Sequence, residues 1–109
     1  EVSHMVMGGN YTHSVLKKGK GDDFRIQDDF GGTLHTYEAN KAEKAMAEAV
    51  FASCSPLPVY GRLDIMWDAA GNPMIGELEI IEPELWLRKH PEAALPFAKG
   101  IQLALDESK

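Results

Sequence analysis

Four charged side chains at regular spacing give this chain its clearest prospect of chemistry: Arg62 and Asp64 in the segment 60–67, and Glu77 and Glu79 in the segment 73–81. In both segments charged and apolar residues alternate, the mark of a strand whose two faces differ in chemistry. Leu63, Ile65 and Trp67 share one face of the first strand, and Leu78 and Ile80 one face of the second. Asp68-Ala69-Ala70-Gly71-Asn72 between them is rich in turn formers, so the strands are expected to pair as an antiparallel hairpin. Pairing Trp67 with Met74 sets Asp64 opposite Glu77 and Arg62 opposite Glu79. Three carboxylates and one guanidinium then converge on one face. Like charges opposed across strands are destabilising, and a hard divalent cation such as magnesium, taking carboxylates and substrate phosphates together, would compensate. The alternative is an ordinary solvated face, yet lysine, which such a face mixes in, is absent from residues 45 to 88. For Arg62 two roles stay open together: the border of a metal–phosphate site, and a cross-strand salt bridge to Glu79.

A second arginine, Arg25, lies between Asp22-Asp23 and the glycine-containing stretch Asp28-Asp29-Phe30-Gly31-Gly32. A guanidinium beside such a loop can reach a polyphosphate and bind it bidentately; the alternative is a surface arginine paired with Asp22, Asp23 or Asp28. His4, His13, His35 and His90 lack metal-ligand spacing and form no triad with Ser14 or Cys54. They are expected to be structural or exposed, with His13 a candidate substrate contact. Cys54 falls just past a helix C-terminus, which does not lower a thiol pKa, so no nucleophilic role is expected. Trp86 is expected to anchor the stretch after the hairpin or to line a pocket.

The elements that must position these groups follow from pattern. Residues 1–7 and 11–18 are β-prone runs around Gly8-Gly9-Asn10, a hairpin signal. Phe24–Gln27 reads as a brief strand, and Asp28 to Thr33 as a loop. Asn40 caps a helix, with Glu43 completing a capping box. That helix carries a stripe of Ala42, Ala45, Met46, Ala49 and Val50 and stops near Ser53. After the second hairpin comes a short helical stretch through Arg88. A last helix runs from Pro91 to about Asp106, with Ala94, Phe97, Ala98, Ile101 and Leu105 as its buried stripe. Hairpins dominating over helices predict an α+β fold with an antiparallel sheet flanked by helices.

With 109 residues the chain is one domain at most. Its formal net charge of -6 argues against nucleic-acid binding. A single cysteine excludes an internal disulfide and fits a reducing compartment. No signal peptide or membrane-length apolar run is apparent, so a cytoplasmic protein without a membrane partner is expected. The chain opens on Glu1 directly into strand-like sequence and reads as a piece of something longer.

Taken together, Tyr60-Gly61-Arg62-Leu63-Asp64-Ile65-Met66, Gly76-Glu77-Leu78-Glu79 and Pro83, with Gly21-Asp22-Asp23-Phe24-Arg25 and Tyr11–Lys18 before them, resemble the C-terminal half of the ATP-grasp carboxylate–amine ligases. Ile80-Ile81-Glu82-Pro83-Glu84 is similar to the glutathione synthetase-like and ribosomal-protein glutamate ligase-like branch. The resemblance spans nearly the whole chain, residues 1–109 being the C-terminal subdomain. It implies ATP and magnesium (manganese in its place) as cofactors, one or two ions being held by Asp64, Glu77 and Glu79. Glu79 stands where many relatives carry asparagine. Arg25 and Arg62 would hold the nucleotide phosphates, with Arg62 catalytic on the transferring phosphoryl group. The implied reaction activates a small-molecule or peptide carboxylate as an acyl phosphate for attack by an amine. The nucleotide is clamped against an earlier subdomain, so the 109 residues alone are expected to be inactive, and an orphaned half-domain invites homo-oligomer formation. A noncatalytic interaction module of the same fold is the alternative; a simple divalent-metal domain with a hydrolytic role ranks behind it for want of a general base.

Overall fold

The computed structural model describes residues 1–18 and 32–107. Two hairpins build a five-stranded sheet: β1 (Val2–Met7), β2 (Asn10–Lys18), β3 (Thr33–Tyr37), β4 (Tyr60–Trp67) and β5 (Pro73–Glu79), in the order β3-β2-β1-β4-β5. Every neighbouring pair is antiparallel, and helices α1 (Lys41–Ala52) and α2 (Ala94–Glu107) complete the expected α+β fold. Gly8 and Gly9 turn the first hairpin at φ 60 and 85, a left-handed region that a side chain resists. Phe24–Gln27 with Arg25, and the expected loop as far as Gly31, lie outside the described residues; Thr33, taken as the end of that loop, opens β3.

Each face of the sheet has its own core. Val6, Leu63 and Ile65 pack against Ala47 and Phe51 of α1. Met5, Met7 and Val15 on the other face are covered by Leu85 and Trp86, with Tyr60, Leu87 and Phe97 at the margin. α1 begins at the expected cap. The Asn40 side chain accepts from the Glu43 N–H at 2.8 Å, and the Glu43 carboxylate accepts from the Asn40 N–H at 2.8 Å. Glu43 also accepts from the Tyr37 hydroxyl, and burial together with that carboxylate pushes the phenol pKa up to about 12.

Several expectations need correction. The inward stripe of α1 is one position round from the alanine-based one: Ala47 and Phe51 are buried, Met46 and Val50 half-buried, and Ala42, Ala45 and Ala49 exposed. Phe51 has far more apolar surface to remove from water than any alanine, so it sets the rotation. In α2, Ala94, Ala98, Ile101 and Leu105 are exposed, and the sheet-facing side runs through Phe97 and buried Gly100. A Cβ at Gly100 would stand 3.1 Å from the Gly8 Cα, so close backbone approach, not the largest apolar stripe, orients this helix. The residues from Pro91 to Ala93 form a 3-10 turn before α2 begins, and the expected helix before it shrinks to the 3-10 turn Leu87–Lys89. Finally, β3 was not expected. Its five residues include only Leu34 and Tyr37 as sizeable apolar groups, too weak an alternation to stand out, and pairing with β2 supplies the strand.

Candidate functional site

The second hairpin delivers the charged face as the alternation predicts, with one difference of register. Asp64 pairs with Glu77 and Arg62 with Glu79, but Trp67 meets Pro73 and Met66 meets Met74. A bulge between Asp64 and Ile65 absorbs the extra residue, Gly76. Without it Ile75 would fall on the carboxylate face; with it Ile75 sits opposite Ile65 on the apolar one. β1 then carries Ser3 opposite Asp64 and Met5 opposite Arg62, while Lys17 reaches the same face from β2.

Arg62 is the centre of this group and not its border. Its Nε donates to Asp64 Oδ1 at 2.9 Å and its Nη2 to Asp64 Oδ2 at 3.0 Å, a bidentate clasp. The same Nη2 donates to Glu79 Oε2 at 3.1 Å and lies 3.9 Å from Glu77 Oε2, while Nη1 donates to the Glu84 carbonyl at 3.3 Å. Asp64 is 2 % exposed, and its Oδ1 also accepts from the Ser3 hydroxyl at 2.6 Å. Lys17 Nζ stands 3.6 Å from Asp64 Oδ2 and pairs with the Glu1 carboxylate. The predicted cross-strand bridge between Arg62 and Glu79 is therefore present, and Asp64, Glu77 and Glu79 do converge, on a guanidinium. Among the described residues no three His, Cys, Asp or Glu side chains are grouped closely enough to hold a metal ion.

The donor chemistry nonetheless suits a hard cation. Glu77 and Glu79 stand on one face with side chains 58% and 34% exposed and offer carboxylate oxygens, the donor type such a cation takes, with Glu79 Oε2 already accepting from Arg62. Asp64 fits less well: its oxygens are taken by Arg62, Ser3 and Lys17, so it serves here as the anchor of two cations.

Lys17 and Ser3 join this group and went unassigned in the sequence, whereas Trp86, expected to anchor the stretch after the hairpin or to line a pocket, packs against its cations. A signal existed for Lys17: His13, Val15 and Lys17 alternate, so a lysine falls in phase with a core valine. Trp86 is 6% exposed, and the Arg62 Cζ and Lys17 Nζ lie 5.2 and 5.6 Å from its ring centroid. Behind it, the Glu84 carboxylate accepts from the backbone N–H groups of Leu85 and Trp86 and from Arg88. Burial opposes that carboxylate's charge, but Arg88 and the two N–H groups outweigh it and hold the Glu84 pKa below its ordinary value.

The histidines divide as expected between structural and exposed positions. His4 is fully buried on the α1 face, with Nδ1 at 2.6 Å from the Ser14 hydroxyl and Nε2 without a partner among the described residues. His13 Nε2 donates to the Leu85 carbonyl at 2.9 Å, and its ring stacks on His90 with centroids 5.0 Å apart. His4 and His13 have pKa values lowered chiefly by burial. His13 also lines a cavity of about 230 Å³ with Tyr11, Thr36, Lys44, Lys89 and His90.

The fold has a counterpart in a solved synthetase. The chain is 31% identical over 107 residues to the cycloserine biosynthesis protein DcsG of Streptomyces lavendulae, a match covering 85% of this chain and 33% of that protein. The crystal structure of D-cycloserine synthetase DcsG superposes with a TM-score of 0.75 and 27% identity, covering 95% of this chain and 37% of that one. The chain thus spans about a third of the length of the curated relative it matches. No protein-family model matches it. Among the described residues no helix is long and apolar enough to cross a membrane.

Proposed function

We propose that this chain is the C-terminal subdomain of an ATP-grasp domain, the magnesium- and phosphate-binding half of an ATP-dependent carboxylate–amine ligase. The observation that carries the proposal is the meeting of Arg62, Lys17, Asp64, Glu77 and Glu79 on one face of the sheet. Similarity to a synthetase over nearly the whole chain supports it. In this reading Arg62, held in a fixed fork, and Arg25 bind the nucleotide phosphates. Glu77 and Glu79, with Asp64 behind them, would hold magnesium, which would supply charge neutralisation at the phosphates. The protein's part in such a transfer is positioning and charge compensation more than covalent chemistry. The γ-phosphoryl group of ATP passes to the substrate carboxylate, leaving ADP, and an amine then attacks the acyl phosphate to form the amide, releasing inorganic phosphate and a proton.

Titration calorimetry of magnesium and ATP into the longer parent protein tests this, with Asp64→Asn and Glu77→Gln as comparisons. Loss of nucleotide affinity in the variants is the expected result; affinity untouched by both substitutions refutes the assignment. A noncatalytic module of the same fold is the second reading. It is favoured by one observation: the Arg62 and Asp64 charges neutralise each other within the fold. ATP-dependent ligation by the parent protein decides between them. The isolated 109 residues are expected to show none.

A further inference from the structure

Trp86 lies among Met5, Met7, Val15 and Leu85, a slot that an apolar ring or chain would fill. Its indole nitrogen is buried and has no hydrogen-bond partner among the described residues, so hydrogen bonding within the fold does not explain a tryptophan there. Its backbone is left-handed, at φ 48 and ψ 46, which a bulky side chain adopts only when its surroundings hold it. What tryptophan offers over the other apolar residues is the strongest aromatic face for a cation. Two cations use it, Arg62 at 5.2 Å and Lys17 at 5.6 Å from the centroid, and both also contact Asp64.

We infer that Trp86 is a positioning residue: its ring holds Arg62 and Lys17 in place, so that the two cations keep their pose when a ligand's phosphate oxygens take over from Asp64 and Glu79. A carboxylate alone cannot do this, because the contact that fixes the guanidinium is the one a competing oxyanion displaces. A ring face does not compete. It orients the cation without occupying its donors, and in a site screened from water this attraction is larger than at an exposed one. The ligand part of the inference rests on the nucleotide-binding reading above; the positioning of Arg62 does not.

The test lowers the ring's electron density without changing its shape. Mono-, di- and trifluorinated tryptophan are incorporated into the chain in a Trp67→Phe background, so that Trp86 is the one position labelled. The first readout needs no nucleotide: the NMR signal and heteronuclear NOE of the Arg62 Nε–H in an Asp64→Asn background, where the bidentate clasp is gone, assigned with Arg62→Lys. Stepwise loss of order with each fluorine is expected; an Arg62 signal equally ordered throughout overturns the inference. The second readout is magnesium-ATP affinity in the parent protein, with its tryptophans outside these 109 residues replaced by phenylalanine, expected to weaken about tenfold across the series. Trp86→Phe should fall within that range, and Phe51→Leu, which loosens the opposite core, should stay within about twofold of the unsubstituted protein. Affinity flat across the series in a protein that binds ATP also overturns the inference. If the unsubstituted protein binds no ATP, the nucleotide reading fails by itself, and the Arg62 signal alone decides the positioning role.

Discussion

Replacing Asp64 by asparagine tests whether the charged face is one buried ion cluster or three separate carboxylates. The Asp64 side chain is 3% exposed, and the cations it faces, Lys17 and Arg62, are 10% and 11% exposed. Removing one partner of a buried pair costs about 3–5 kcal/mol, because the other charge is left uncompensated. Here Arg62 keeps Glu79 at 3.1 Å and Lys17 keeps Glu1, and an amide oxygen can still accept from Ser3. The lower end, about 3 kcal/mol, is therefore expected. Glu79→Gln removes a partner on a carboxylate 34% exposed and should cost about 1 kcal/mol. Glu77→Gln touches a carboxylate 58% exposed and 3.9 Å away, for about 0.3 kcal/mol. Urea unfolding followed by circular dichroism gives all three, and a cycle with Arg62→Met should return a coupling of at least about 1.5 kcal/mol for the Arg62–Asp64 pair. The reasoning fails if Asp64→Asn costs under about 1 kcal/mol, or if Glu77→Gln costs as much.

Gly100→Ala improves helix propensity by about 1 kcal/mol, but its Cβ would meet Gly8 backbone at 3.1 Å and the Val59 carbonyl at 3.2 Å. Backbone on both sides cannot yield as a flexible side chain does, so a net loss of about 1–2 kcal/mol is expected, and a raised melting temperature would contradict it. Stability should also depend on acid. His4 and His13 have folded pKa values lowered by burial, so the unfolded chain binds protons first. Their contribution is complete above about pH 6.5 and is lost as pH falls toward the folded values, at up to about 1.4 kcal/mol per pH unit for each ring. Urea midpoints from pH 7.5 down to 5 check this; a flat profile refutes it.

How much of this was legible beforehand differs by element. The strand pair carrying Arg62, Asp64, Glu77 and Glu79 could be read with its facing partners, because alternation with period two assigns a face to every residue. Asn40 and Glu43 announced a helix start because a capping box is a local contact among four consecutive residues. The phase break at Gly76 was there to be seen, since Ile75 and Glu77 would otherwise share a face, and glycine inside a strand marks a bulge. β3 was not visible, as its few apolar residues become a strand only through hydrogen bonds to β2.

What the amino-acid order determined by itself was local: which side chains share a face, where turns and caps fall, and that three carboxylates and a guanidinium meet across one hairpin. Tertiary structure decided what that meeting is. β1 and β2 bring Ser3 and Lys17 to Asp64, and the chain after β5 folds back to lay Trp86 over both cations. It also set the rotation of α1 and α2, through Phe51 burial and the contact of Gly100 with Gly8. The physical reason is range. Periodicity and capping act over a few residues, whereas burial, charge compensation and backbone clearance depend on segments distant in the chain, as Ser3 and Asp64, 61 positions apart, show.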